Sequence, residues 1–163
     1  MNVRNCADIG VNAQYIVKRL LANQNLLKLL YYTDKDPLSH EDLTQEQIQN
    51  EVFEKLVKII PRVGPKETAQ SVVAVRVVRG TGLAGNNEFK NVIISLEIFV
   101  PLTQWIIKDT NLRPFAIMGE IQKSLNNKKI EGLGKLTGGN FDLNFLTEEI
   151  SDYEQTFILT SYD

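Results

Sequence analysis

The sequence is poor in the residues that build disulfides, metal sites and nucleophilic catalysts. Its 163 residues include one cysteine, Cys6, and one histidine, His40. A lone cysteine cannot form a disulfide within the chain, and a structural zinc site needs about four N or S ligands. A Ser-His-Asp triad could be built only on His40. We therefore expect no disulfide framework and no zinc finger.

A surplus of charge of one sign is also lacking. Eighteen Lys and Arg face 20 Asp and Glu, which gives a net charge of −2. Phosphate contacts need excess Lys and Arg, so we do not expect a basic nucleic-acid-binding domain. The most apolar stretch, residues 92–107, contains Glu97 and Pro101 and falls short of the roughly 20 apolar residues that span a bilayer. Residues 1–5 lack the features of a secretory signal, and the single cysteine suits a reducing compartment.

What is present is an ordinary globular composition, with 43% hydrophobic and 23% charged residues. This length suits one domain. Residues 11–31 have apolar positions at helical spacing, with an interruption that could divide them into two helices, the second capped by Asn25. A second helical segment begins with a capping box at Thr44 and continues to Ile60. We predict a single domain over residues 1–163, with a helical N-terminal region to about residue 43.

The period then changes to that of strands. Val73, Val75 and Val77 alternate with polar-tolerant positions, and six even positions from 92 to 102 are apolar. A third helix opens with Pro114 in its first turn, after a cap at residues 109–111, and buries a stripe that includes Phe115. Three short strands follow, over residues 130–136, 141–146 and 153–161, with the second half-buried. The order α-α-β-β-α-β-β-β predicts an α+β fold: an antiparallel sheet with a long β-hairpin and helices packed on one face.

Residues 80–85, Gly-Thr-Gly-Leu-Ala-Gly, match the G-x-G-x-x-G motif of dinucleotide-binding folds. That motif requires a strand before it and a helix after it, whose N-terminal amides hold the pyrophosphate. Here the next element is the best strand of the chain. We therefore interpret residues 80–87 as a flexible hairpin tip, in which glycine permits positive φ.

The remaining polar groups favour ordinary surface roles. His40 lies among acidic residues, a composition open to a pH-sensitive or metal-binding role but more typical of a solvated loop before a helix. Cys6 has no adjacent base, and the carboxylate pairs at 148–149 and 152–154 have nothing beside them to separate their pKa values. We predict no catalytic, cofactor-binding or metal-binding residue, and that the chain is not an enzyme.

The features that remain point to assembly. Trp105 either caps the core or serves as an exposed anchor, since tryptophan is enriched at interface hot spots. A polar, Gly-rich hairpin tip often orders only against a partner. The predicted interface residues are Val73, Val75, Val77, Gly80, Gly82, Gly85, Asn86, Asn87 and Trp105.

Four segments resemble the tail terminator (tail completion) proteins of long-tailed bacteriophages. They are the hairpin strand 91–100 (NVIISLEIFV), residues 112–121 (LRPFAIMGEI), residues 130–136 (IEGLGKL) and the closing strand 152–160 (DYEQTFILT). The similarity is one of element order and a few residue types, and it covers roughly residues 45–163.

The resemblance implies a structural virion protein of the phage neck, made in the host cytoplasm. Such proteins form hexameric rings that stop polymerisation of the tail tube and join it to the head connector. The implied partners are further copies of the chain, the tail tube protein and the connector or head-closure protein, with DNA passing through without sequence-specific binding and no membrane. A head-closure or sheath-capping neck protein is the alternative, and a small nucleotide-binding enzyme using residues 80–85 is the alternative from another class.

Overall fold

Six strands form one mixed sheet in the computed structural model of the chain, which describes residues 6–59, 70–85, 89–130 and 134–160. The strands are β1 Val57–Lys58, β2 Val72–Gly82, β3 Phe89–Pro101, β4 Lys129–Ile130, β5 Gly134–Leu146 and β6 Ile150–Thr160. Their order across the sheet is β1-β2-β3-β6-β5-β4. The short β1 pairs parallel to β2, and all other neighbours are antiparallel. The α+β class and the long β2–β3 hairpin are confirmed.

The helices are α1 Cys6–Leu21, α2 Gln24–Tyr31, α3 Gln45–Gln47 and α4 Arg113–Leu125, and α3 continues into a π-helical turn, Ile48–Val52. Three short 3-10 turns lie at Pro37–Ser39, Leu102–Gln104 and Lys108–Thr110. α1 and α4 contact the sheet, and α2 contacts both of these helices. No helix in the described ranges is long and apolar enough to cross a membrane.

The core lies between these helices and the middle strands. Helix residues such as Ile16, Leu20 and Ile117 have no exposed surface, and neither do Leu96 and Ile98 of β3. β3 is central in the sheet, between β2 and β6. Burying an apolar side chain stabilises the fold by about 1.5–3 kcal/mol, so this layer provides most of the stability.

The predicted interruption of the first helical segment is confirmed, but its cap is Asn23 rather than Asn25. Oδ1 of Asn23 accepts a hydrogen bond from the backbone N–H of Leu26 at 3.1 Å. Its Nδ2 donates to Oγ of Ser124 in α4 at 2.9 Å. Asn25 is exposed. Asn23 is therefore selected both by the cap of α2 and by its contact with α4, and the sequence pattern does not reveal the second contact.

The second helical segment is shorter than its pattern predicts. The Thr44 capping box is confirmed, with Gln47 N–H donating to Thr44 Oγ1 at 3.2 Å and Thr44 N–H donating to Gln47 Oε1 at 2.9 Å. The predicted helix to residue 60 is wrong beyond Val52, where a π-helical turn ends the helix. Glu54 then takes a positive φ of 63° and the chain leads into β1. Ile60, the predicted last residue of this segment, lies outside the described residues.

The three short strands predicted after α4 are also revised. Residues 134–146 form one strand, β5, which passes through Gly138 and Gly139 instead of turning there. Both glycines have positive φ, 133° and 103°, and the register with β6 shifts between Gly138 and Asn140. A β-bulge therefore replaces the break predicted between the strands 130–136 and 141–146, because two glycines allow one strand to bend and remain paired. β6 begins at Ile150, earlier than predicted.

The start of α4 is confirmed in part. Pro114 lies in the first helical turn. The predicted cap at residues 109–111 is wrong, because Leu112 is the N-cap and no side chain accepts a capping bond there. Of the predicted buried stripe, Ile117 and Ile121 are fully buried, whereas Phe115 is 38% exposed.

Candidate assembly surface

The second half of β5 is the most exposed apolar segment in the sheet. All of residues 140–146 are exposed, and they include Phe141, Leu143, Phe145 and Leu146, at 50%, 51%, 44% and 59%. Within the described residues, the outer edge of β5 pairs with a strand only at its start, where β4 contacts Gly134 and Lys135. The predicted half-buried strand is wrong here, because all four apolar side chains remain exposed although the rings of Phe141 and Phe145 contact aromatic side chains of α4, β6 and β3. We call residues 140–146 the β5 edge.

An aromatic cluster joins the β5 edge to α4 and β6. The ring centroid of Phe115 lies 5.6 Å from that of Phe141 and 5.4 Å from that of Tyr153. Tyr153 in turn lies 6.1 Å from Trp105. Offset and edge-to-face contacts of this kind contribute about 0.5–1.5 kcal/mol per pair. The cluster therefore holds half-exposed rings in fixed positions, as an interface anchor requires.

Trp105 lies at the border of this cluster. Trp105 follows the end of β3 at Pro101 and the 3-10 turn Leu102–Gln104. Trp105 is partly buried and packs against the hydrophobic core. Trp105 thus packs on the core and also contacts the aromatic cluster through Tyr153, so the two predicted roles, core cap and interface anchor, are not alternatives.

A buried arginine fixes the turn that carries Trp105. Arg113, at the start of α4, is 0% exposed. Its guanidinium donates to four backbone carbonyls: Nε to Gln104 at 2.8 Å, Nη1 to Leu29 at 2.6 Å and Tyr32 at 2.8 Å, and Nη2 to Asp34 at 2.5 Å. The backbone N–H of Arg113 donates to the carbonyl of Trp105 at 2.7 Å.

The same arginine completes the C-terminal end of α2, whose last carbonyls have no partner within the helix. A cation is also favourable there, because the C-terminus of a helix carries partial negative charge. Burial lowers the pKa of Arg113, partly offset by Asp34. No pattern along the chain signals this role, since an arginine before Pro114 is expected to be exposed.

The face of the sheet opposite the aromatic cluster carries a charged group. Nη2 of Arg76 lies 2.7 Å from Oε1 of Glu97 and 3.4 Å from Oε1 of Glu154. The hydroxyl of Ser95 also donates to Glu154. Two carboxylates thus share one guanidinium. Burial raises the pKa of Glu97, opposed by the charge of Arg76.

Asp152 lies beside this group and is almost fully buried, at 2% exposure. Its Oδ2 accepts from Nδ2 of Asn144 at 3.2 Å, and its Oδ1 has no hydrogen-bond partner among the described residues. Burial raises the pKa of Asp152 to about 6; the bond from Asn144 opposes that shift and the charge of Glu97 adds to it. A buried carboxylate of this kind favours its neutral form. Asp152 lies in β6 next to the β5 edge, where it is the cross-strand partner of Phe145.

The predicted interface residues of β2 divide into two groups. The side chains of Val73 and Val75 are fully buried in the core, so they cannot form part of a surface. Val77 is 39% exposed, and the neighbouring Val78, which the prediction omitted, is 56% exposed. Outside residues 73–74, which pair with β1, no described strand pairs with the outer edge of β2. We call residues 76–82 the β2 edge.

The glycines of the hairpin have distinct surroundings. Gly80 is covered by the ring of Phe89, since a Cβ placed there would lie 2.7 Å from Cδ1 of that ring. Gly82 has open space around it, and Gly85 takes a positive φ of 90°. The predicted tip residues Asn86 and Asn87 lie outside the described residues. The three glycines therefore belong to a β-hairpin, because the chain returns to the sheet at Phe89 as β3.

The polar residues considered for chemistry are not brought together. His40 stacks on Tyr32, with ring centroids 3.9 Å apart, and its Nε2 lies 2.6 Å from Oδ2 of Asp34. Cys6 is exposed. In the described part of the chain, no group of three or more His, Cys, Asp or Glu side chains is placed to hold a metal ion.

The structure therefore defines an α+β protein with an exposed apolar strand edge and a cluster of aromatic side chains. The model of one protein family, YomW, matches residues 23–157, which is more than half of the chain. The chain belongs to the YomW family, a phage-derived family. The name of this family states no function, and none of the curated proteins matches the chain.

Proposed function

We propose that this chain is a structural protein of a bacteriophage neck: a ring-forming tail terminator that caps the tail tube and joins it to the head connector. The observation that carries the proposal is the β5 edge, where four apolar side chains are between 44% and 59% exposed along a side of the strand that no described strand covers. An exposed apolar edge of this kind is an aggregation hazard unless a partner covers it. A protein that works by assembly has such a partner.

The aromatic cluster supports the same proposal. Phe115, Phe141 and Tyr153 are already fixed by contact with each other. Pre-ordered aromatic side chains lose little entropy on binding, so they contribute more affinity than mobile side chains do. They form a surface suited to a protein partner such as the tail tube protein, the connector or a second copy of the chain.

The membership of a phage-derived family supports a place in the virion. The net charge of −2 also suits a ring that lets DNA pass without holding it, since tight binding to phosphate requires surplus positive charge. The chain then acts in the neck and has no catalytic residue.

Removal of the coding sequence from the phage that carries it tests the proposal. A tail terminator stops the tube, so we expect tails of irregular length that fail to join heads, seen by electron microscopy. Tails of normal length that remain separate from filled heads would instead indicate a head-closure protein. Complete virions in the absence of the chain would contradict a neck role altogether.

The test is sharpened by complementation with variants. Phe141→Gln combined with Leu143→Gln should fail to restore tail length, because it removes the apolar contacts of the β5 edge. The matched control is Leu38→Gln, which changes an apolar side chain of similar exposure, 45%, outside the sheet. Equal rescue by both variants would show that the β5 edge has no role in assembly.

A further inference from the structure

Among the described strands, the sheet has two unpaired stretches of equal length, one at each edge. The β2 edge and the β5 edge each contain seven residues, and within the described ranges neither has a partner strand along that stretch. The β2 edge presents Val77 and Val78, which are 39% and 56% exposed. Each edge therefore offers unpaired backbone groups together with apolar side chains.

The directions of the strands allow one edge to pair with the other in a second copy. β2, β3, β6 and β5 are successive antiparallel neighbours, so β2 and β5 run in opposite directions. When a second copy lies beside the first in the same orientation, its β2 runs antiparallel to the first copy's β5. The antiparallel pattern then continues across the junction.

Charge selects a register for this pairing. Asp142 is a charged residue of the β5 edge, and Arg79 is an exposed cation of the β2 edge. Opposite charges directly across an antiparallel pair are favourable. With Arg79 opposite Asp142, Val78 comes to lie opposite Leu143 and Gly80 opposite Phe141.

The faces of the two strands agree with this register. Asp142 pairs with Glu154 and therefore lies on the face of the Arg76 group. Arg79 lies on the same face as Arg76, because the register shift between Val77 and Arg79 places an extra residue between them. The two opposite charges are thus on one face, as a cross-strand pair requires.

The stagger of the register suits a closed ring. Within one chain, three successive cross-strand pairs connect Asp142 in β5 with Ala74 in β2. Pairing Asp142 with Arg79 of the next copy instead of with its Ala74 therefore displaces that copy along the strand direction by five residues, or by four if the bulged Val78 is not counted. This displacement is about 13–17 Å along the strands, and the four strands of one copy are about 19 Å wide across the sheet. The resulting tilt of about 35–41° lies within the roughly 35–45° of closed barrels.

A two-fold arrangement is less suitable. Pairing the β5 edge with a second β5 edge about Asp142 would place like charges together, and pairing two β2 edges about Arg79 would do the same. Both arrangements would also leave the other edge of each chain uncovered. A head-to-tail contact uses both edges and generates a ring when its rotation closes.

We infer that the ring is built by head-to-tail strand pairing, in which the β5 edge of one copy binds the β2 edge of the next, with Asp142 opposite Arg79. This inference deepens the proposed function and rests on it for the ring. The occupant of each edge is a second copy of this chain.

Cysteine cross-linking tests the contact. In a Cys6→Ser background, Val78→Cys combined with Leu143→Cys should give a ladder of cross-linked multimers under oxidation or with a short bismaleimide. Each single-cysteine variant should give at most dimers, because it supplies one end of the contact. The matched control pair, Val78→Cys with Leu38→Cys, uses an exposed residue outside both edges and should give no ladder. Native mass spectrometry of the uncross-linked chain reports the copy number in parallel.

A charge exchange supplies an independent readout. Arg79→Glu and Asp142→Arg should each reduce the ladder at least about fivefold, and the double variant should restore it. A Val78/Leu143 ladder no stronger than the control ladder would overturn the inference, and rings seen by native mass spectrometry in that case would leave the proposed function standing with another interface. A strong ladder from a chain whose removal leaves virions complete would support the contact and overturn the neck function.

Discussion

The junction at Arg113 and the β5 edge lie on the same fold but are built in opposite ways. At the junction a fully buried guanidinium satisfies four carbonyls, drawn from α2, the loop after it and the turn before Trp105. At the β5 edge, residues 140–146 are all exposed and four of them are large and apolar. At the junction a charged side chain lies in the interior, where apolar residues are usual, and at the β5 edge apolar side chains lie on the surface, where polar residues are usual.

This contrast separates folding from assembly. Arg113 is completed within the chain, so its removal should damage the fold. The β5 edge is not completed within the described part of the chain, so its removal should leave the fold and damage an interaction. The Gly138 bulge lies where β5 passes from covered to exposed, and the buried Asp152 lies in β6, opposite Phe145 near the other end of the β5 edge.

The largest effect is expected at the junction. Arg113→Met leaves four carbonyls without their donor, two of them in buried hydrogen bonds, and it should lower the free energy of unfolding by about 3–5 kcal/mol. Urea denaturation followed by circular dichroism measures this loss. Arg79→Met, at an exposed arginine, should change it by no more than about 0.5 kcal/mol. Similar losses in the two variants would show that the junction is not a special anchor.

The next effect is expected at the bulge of β5. Gly138 has a φ of 133°, and a Cβ there would lie 2.8 Å from the backbone oxygen of Thr156. Gly138→Ala should therefore cost about 2–3 kcal/mol. Gly82→Ala is the matched control, because Gly82 lies in a strand and a Cβ added to it would have nothing within 4 Å. Thermal denaturation of both variants would separate them, and an unchanged Gly138→Ala midpoint would contradict the bulge.

A pH-dependent effect of intermediate size is expected at Asp152. Its pKa is about 6 in the folded chain against an ordinary 3.8, so between these values the folded state holds a proton that the unfolded state has lost. The free energy of unfolding should therefore fall by on the order of 2 kcal/mol as the pH rises from about 4 to 7. Asp152→Asn should remove this part of the pH dependence and stabilise the chain at pH ~7.

Denaturation curves at several pH values measure the Asp152 effect. Asp142→Asn serves as the control, since it makes the same substitution at an exposed position of β5. If Asp152→Asn kept the full slope of the wild-type chain, the carboxylate would be ionised in the folded state throughout.

The smallest effect on stability is expected at the β5 edge itself. Phe141→Gln with Leu143→Gln removes side chains that are about half exposed, so the free energy of unfolding should change by less than about 1 kcal/mol. The same double variant should still lose the ability to restore tail assembly. A large loss of stability would place these side chains with the core rather than with the assembly surface.

Local chemistry made part of this structure predictable. The Thr44 capping box, Pro114 in a first helical turn and the alternation of β3 are all short-range features, and the structure has each of them. The prediction that a strand follows the glycines of the hairpin is also confirmed. These predictions succeeded because the residues that decide them are neighbours in sequence.

The errors came from residues that are distant in sequence. Asn23 caps α2 and also donates a hydrogen bond to Ser124 of α4. The helix ends at Val52 because the residues that follow form β1, which pairs with β2. The pattern of the β5 edge correctly indicated a strand, but it did not reveal the register shift that moves Phe145 to the face opposite Leu143. Periodicity also does not reveal whether a second layer covers the apolar positions.

The order of amino acids was sufficient to establish the α+β class, the long hairpin and most of the core, because side-chain periodicity and local turn chemistry fix these features. Tertiary packing was needed to establish that Arg113 is buried, that Val73 and Val75 lie inside, and that the β5 edge lies open. These features escaped the sequence because burial depends on which elements pack above a residue. An apolar side chain that the described part of its own chain leaves exposed is available to another chain.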